Sequence, residues 1–237
     1  MQSSDIVIAV FTFILLLFSL SVHESAHAWM ASRLGDQTAL MLGRVSLNPM
    51  DHVDPIGTLL LPALMIFGPL FGFNFFGGFL FGWAKPVPIV SRNFRNFKRD
   101  DMLVSLAGPA SNLMLAFIAF AGLAIDIVAA PDARMNVLNI FKNFLDTGAI
   151  STSQPFVLLC ILAIMLNLTL CIFNLLPIPP LDGSHVLRNV LPYGAVRVFD
   201  SISGPLSYIL LIVVGRVVLG MILFPVLGLV YSILVLI

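Results

Sequence analysis

Charge is what this chain has least of. Only 10% of its 237 residues are charged, 12 acidic against 12 basic, while 59% are hydrophobic and the mean hydropathy is +1.04. A soluble domain of this length needs more polar surface than that, so this class is excluded. Balanced charge, with no basic stripe and no aromatic-basic interleaving, excludes nucleic acid as a partner. Strict alternation of apolar and polar residues is missing too, which excludes a membrane β-barrel and leaves α-helices as the way to cross a bilayer. Cysteine is scarce. Cys160 and Cys171 share one apolar run, about 16 Å apart on a helix and too far for a disulfide, so they read as small buried hydrophobes. Glutamate is almost absent: Glu24 is the only one.

What is abundant is long apolar runs. Blocks at about 5–31, 56–81, 102–129, 155–178 and 204–237 each match a hydrocarbon core of roughly 30 Å. The expected fold is an all-α polytopic membrane protein, a bundle of about 5–6 membrane helices, read as one domain over 1–237 with a core at about 5–190 and a membrane tail at about 204–237. Block 56–81 is interrupted by Pro62, Gly68, Pro69, Gly72, Gly77 and Gly78, which suits a re-entrant segment lining a water path. Arg216 and Pro225 interrupt the tail, and two segments are expected there, since a break lets Arg216 reach water. Segments 38–49 and 79–89 are β-prone and bounded by Gly or Pro, and they predict a small interfacial β element. Ala26-His27-Ala28 loosely mimics a signal-peptide cleavage site. With no Lys or Arg before the apolar run and a run longer than a signal core, the stretch reads as a retained helix.

Late in the first block stands "HESAH", residues 23–27. Ionisable groups at membrane depth usually mark function. On a helix, positions i and i+4 share a face, so His23 and His27 present two nitrogens to one Zn²⁺ with Glu24 beside them as base for an attacking water. A catalytic zinc takes three protein ligands and leaves a position open. Candidates for the third, in or next to apolar runs, are His52, His185, Asp126 and Asp182. Asp182 is best placed, just after a helix whose end is stiffened by Pro177, Pro179 and Pro180, with Gly183 permitting a close approach. On the local pattern alone, an ordinary helix-end or turn aspartate is the stronger reading.

"HESAH" together with "NLLPIPPLDG" (174–183) resembles the two signatures of the site-2 proteases, the intramembrane zinc metallopeptidases of peptidase family M50. "AGPASN" (107–112) is similar to the opening of that family's intervening core helix, and "GRVSLNPMDHVDPIGTLLLP" (43–62) and "FGWAKPVPI" (81–89) resemble segments of its compact bacterial members, which lack PDZ and CBS domains. The resemblance implies that Asp182 is the third ligand to one zinc per chain. It also implies that Asn174 holds substrate backbone or the developing oxyanion; a helix-packing hydrogen bond is the alternative. His52 donates either to a group behind the zinc ligands or to the transition state, or else is a solvated loop histidine, and His185 reads as interfacial.

The expected activity is hydrolysis of a membrane-spanning helix of another protein within the lipid bilayer, with Glu24 taking the proton of the attacking water and passing it to the leaving amine. The substrate helix unwinds first, and the β-prone segments receive it by strand addition. A zinc-binding membrane transporter is the competing class, but it has no use for Glu24 between two ligands. Because His27 and Asp182 both lie at the C-terminal ends of their helices, those helices are expected to run in the same direction. Lys85, Arg92, Arg95, Lys98 and Arg99 crowd segment 81–101. Positive-inside reasoning therefore places that segment and the active site towards the cytoplasm of a bacterial inner membrane, with the N-terminus outside.

Overall fold

The computed structural model describes residues 3–73, 82–147, 150, 154–201 and 205–237. In lipid a backbone has to satisfy its own N–H and C=O groups, and the apolar blocks accordingly form helices: α1 (Ser3–Leu34), α4 (Phe97–Ala129), α6 (Pro155–Asn174) and α9 (Pro205–Leu236). Shorter helices join them: α2 (Thr38–Met41), α3 (Leu61–Phe67), α5 (Pro131–Thr147), α7 (Asp182–Val190) and α8 (Tyr193–Ser201). Among the described residues four helical stretches are long and apolar enough to cross a membrane, in α1, α4, α6 and the second part of α9. The protein is an integral membrane protein.

Helix α4 is the centre of the bundle. It starts where Asn96 Oδ1 accepts the Arg99 N–H while Asp100 Oδ2 accepts the Asn96 N–H, a reciprocal cap worth about 1 kcal/mol. Along it, His23 of α1 meets Asn112 and, one turn later, His27 meets Val104, so α1 and α4 are antiparallel. Asn112 also meets Asn167 of α6, and farther along Gly122 faces Cys160 and Phe156, so α4 and α6 are antiparallel as well. Helices α1 and α6 therefore run in the same direction, as the positions of the two motifs require.

Three of these expectations change. Four helices of membrane length stand where about 5–6 were expected, because the helical stretch Pro55–Phe71 is too short to cross and α9 does not divide. Pro225 lies within one continuous helix; neighbouring helices let a membrane helix tolerate such a residue. The side chain of Arg216 lies outside the described part. No strand occurs among the described residues. Residues 38–41 form a helical turn instead, and 82–90 runs extended but is pinned by single bonds: the Trp83 and Lys85 N–H groups donate to Gly57 O and His52 O, and Arg44 Nη2 donates to Lys85 O. Two prolines, Pro86 and Pro88, deny that stretch a ladder. Residues 79–81 of this segment, and 74–81 of the interrupted block, lie outside the described residues. Finally, α5 was not foreseen; it is an amphipathic helix lying between spans.

Asp36 closes the turn after α1. Its carboxylate accepts from the Thr38 N–H and hydroxyl, the Val90 N–H and the Asn93 amide. Burial by itself would raise this carboxyl's pKa, but these donors outweigh it and hold the group below the ordinary carboxylate range.

Candidate metal centre

The centre is built where α1, α4 and the start of α7 meet. His23 and His27 project from one face of α1, one turn apart, and both are buried at 4% and 6% exposure. Asp182 arrives from a tight connection after α6. The Leu176, Ile178 and Leu181 N–H groups bond to Phe173 O, Leu176 O and Ile178 O, and Leu176, Ile178 and Leu181 pack with Leu211 of α9. Gly183 lets α7 fold back over the end of α6: a Cβ there would sit 2.2 Å from Leu175 O. The turn therefore returns Asp182 to the level of the histidines.

His23 Nε2 lies 3.2 Å from Asp182 Oδ2 and His27 Nε2 lies 3.4 Å from Asp182 Oδ1, with 3.0 Å between the two Nε2 atoms. Each ring's other nitrogen is committed to an oxygen acceptor, His23 Nδ1 to Asn112 Oδ1 at 2.6 Å and His27 Nδ1 to Val104 O at 2.7 Å. A neutral imidazole donating from Nδ1 carries its lone pair on Nε2. Two nitrogen lone pairs and the two oxygens of one carboxylate thus face one another, and Asp182 Oδ2 is buried without a hydrogen-bond partner. Such a cluster is unfavourable unless a cation joins it. Zinc at ordinary Zn–N and Zn–O distances separates tetrahedral ligand atoms by about 3.3 Å, close to the separations seen, so the donor set fits a metal of this kind.

Gly108 of α4 makes the room. A Cβ there would fall 2.3 Å from His27 Nε2 and 2.6 Å from His23 Nε2. Glu24 is half-buried on the next position of α1 and acts electrostatically on His27.

Of the sequence-based candidates, the structure brings together His23, His27 and Asp182, and Glu24 follows His23 in α1. The others stand apart. Asn174 donates its amide to Leu170 O in its own helix. His52 is buried at 2% exposure rather than solvated, with Nε2 donating to Ser46 O and Nδ1 without a partner. His185 is exposed, and Asp126 lies near the far end of α4. Sequence reasoning missed Gly108, Asn112 and the Val104 carbonyl as parts of the centre. The available signal was Asn112 itself, a polar residue inside an apolar helix.

The profile of "Peptidase family M50" matches residues 92–214. The chain is 40% identical over 181 residues to YwhC of Bacillus subtilis, a candidate zinc metalloprotease by its name, covering 76% of this chain and 69% of that protein. It is 31% identical to Rip2 of Mycolicibacterium smegmatis and 32% identical to Rip2 of Mycobacterium tuberculosis, both named in the same way, over 73% of this chain. It spans about half the length of those Rip2 proteins, 54% in each case. No solved structure matches the chain.

Proposed function

Since this chain belongs to peptidase family M50 and is an intramembrane zinc metalloprotease, we propose that it cleaves membrane-spanning segments of other membrane proteins, with His23, His27 and Asp182 holding one zinc and Glu24 as the general base. One observation carries this assignment: two imidazole nitrogens 3.0 Å apart and the two oxygens of the Asp182 carboxylate, 3.2 and 3.4 Å from them, converge at a buried point cleared by Gly108.

Bound zinc supplies Lewis-acid polarisation of the scissile carbonyl and acidifies the attacking water. Glu24 accepts the proton from that water and returns it to the departing amine. The Asn112 and Val104 oxygens keep both imidazoles aimed. Asn174, at the end of α6, is proposed to meet the substrate backbone through its amide, and buried His52 to orient the loop beside the centre. We read the whole chain as one catalytic unit, a reading supported by the packing of α9 on α5 and α6.

Residues 56–81 are proposed to be re-entrant. Phe67 reaches Phe13 of α1, while Trp83 returns to Gly57 at the starting level; the excursion so begins and ends together. Because Trp83 and Lys85 turn their N–H groups towards residues 57 and 52, the short opposite edge at Gly82 and Ala84, before Pro86 and Pro88 remove its donors, is proposed to receive unwound substrate as an added strand. The Asn189 amide donates to Asp101, which supports placing the start of α4 and the end of α7 at the same membrane face; by the positive-inside argument this is the cytoplasmic face of an inner membrane.

The test is cleavage of a labelled membrane-helix substrate by the purified protein in detergent. Glu24→Gln keeps size and hydrogen bonding but removes the base. It is expected to retain zinc while turnover falls about 10²–10⁴-fold; near-normal turnover with full zinc would overturn the mechanism.

A further inference from the structure

We propose that Asn167 of α6 acts as a positioning residue: working through Asn112, it sets which nitrogen of His23 is free to bind metal. The inference rests on the reading of His23 as a zinc ligand.

The direction of a short chain of bonds carries it. Ala163 O is a backbone carbonyl and can only accept, so Asn167 turns its NH₂ group to it, at 2.9 Å. The oxygen of Asn167 then faces Asn112 at 3.0 Å. An amide oxygen also only accepts, so Asn112 presents its NH₂ to Asn167, and the same group reaches Ser19 O, a second carbonyl, at 3.4 Å. Only Asn112 Oδ1 is left for His23 Nδ1. The hydrogen therefore sits on Nδ1, and the lone pair on Nε2 faces Asp182.

Asn112 is 0% exposed and Asn167 1%. No solvent can replace a lost bond there, and a half-satisfied buried network is costly. Reversing the Asn112 amide would put NH₂ against Nδ1 and force the proton onto the metal-facing atom. His27 needs no such relay, because its Nδ1 meets a main-chain carbonyl that cannot flip. His23 meets a side-chain amide that can flip, and the second asparagine prevents it. A packing role alone would require the two amides to bond but would leave their direction free.

The experiment uses the full zinc-loaded chain and two readouts other than activity. Zinc affinity is measured by chelator competition, and the position of the His23 ring proton by ¹⁵N-histidine NMR. Asn167→Leu removes the orienting acceptor and is expected to weaken zinc binding about 10–100-fold, the usual range for partners behind metal ligands, with the His23 proton no longer confined to Nδ1. Asn167→Asp takes up a proton in this apolar setting. It then keeps both bonds, and should retain wild-type affinity and the Nδ1 proton. The double variant Asn112→Leu with Asn167→Leu should bind zinc no more weakly than Asn112→Leu alone, because Asn167 acts only through Asn112.

Wild-type affinity in Asn167→Leu, while His23→Ala loses zinc, would overturn the relay and leave the ligand assignment standing. Full zinc binding in His23→Ala would overturn both. Should the leucine variants fail to fold, Asn167→Asp still decides: a His23 proton moved to Nε2 overturns the proposal, and one kept on Nδ1 supports it.

Discussion

The two halves of α4 face the same neighbouring helix, α6, yet are held by different forces. Towards its N-terminus, Ser105, Gly108, Ser111 and Asn112 are buried, and the contact with α6 there is the polar, directional bond from Asn112 to Asn167. Towards its C-terminus, Ala116, Leu123 and Ile127 pack against Val157, Ile161 and Phe141 in a dry cluster that also takes in α9. The first half is where a lost bond or an added atom cannot be absorbed. The second relies on volume and dispersion, which neighbouring side chains redistribute. A membrane bundle gains little from hydrophobic contrast with lipid, so small residues and polar bonds supply specificity at one end while shape supplies it at the other.

The sharpest test of this contrast uses two glycines of the one helix. Gly108→Ala drives a methyl group into both imidazoles and is expected to abolish stoichiometric zinc and reduce turnover by more than about 10²-fold. Measured zinc content near one per chain in Gly108→Ala would break the comparison. Asp182→Ala comes next. It should lose tight zinc and, because native-state binding stabilises by linkage, also lower the thermal midpoint of the zinc-loaded protein; a tightly bound zinc in this variant would reject Asp182 as a ligand.

At the other end, Phe141→Ala removes a ring that is 0% exposed and stacked on Tyr231. It is expected to cost about 3 kcal/mol of stability with zinc affinity unchanged, as read by unfolding and chelator competition.

A smaller effect is expected at Asp36. Asp36→Asn removes charge and part of the acceptor capacity, at a cost of about 1–2 kcal/mol near neutral pH. Because the folded carboxyl titrates below its unfolded value, the stabilisation is complete above the ordinary carboxylate range and is lost as pH falls through the lower, folded value. Wild type and variant should therefore converge on acidification, and parallel stability curves down to low pH would count against this carboxylate as a clamp. The smallest effect belongs to Gly122→Ala, whose Cβ would meet only the ends of Phe156 and Cys160 at 3.3 and 3.4 Å. It should change stability by less than about 1 kcal/mol and leave zinc untouched.

Local chemistry made much of this legible in the chain itself. The i, i+4 histidines and the Leu-Asp-Gly turn lie within short stretches whose geometry follows from one helix and one turn. The parallel direction of α1 and α6 followed from where those motifs sit in their helices. Asn112 and Asn167 were not legible as a pair, because each alone is a polar residue in an apolar helix; only the packing of α4 on α6 turns them into a directed chain. Asn174, just as conspicuous in sequence, bonds to its own helix. The strand reading of 38–49 and 79–89 relied on β-prone composition, whereas the structure holds these loops through Arg44, Asp36 and Thr58. Helix α5 was hidden because its apolar residues are spaced along one face of an amphipathic helix and not gathered in a run.

The order of ligands along the chain has a consequence for biosynthesis. His23 and His27 enter the bilayer with the first span, but Asp182 leaves the ribosome only after α4, α5 and α6 have been made, and domains form largely from the N-terminus during synthesis. Until α6 is inserted and its following turn has folded, a nascent chain carries two imidazoles and a glutamate but lacks the carboxylate opposite them. On the proposed ligand set, the centre is therefore completed only after the spans that precede Asp182 have been made.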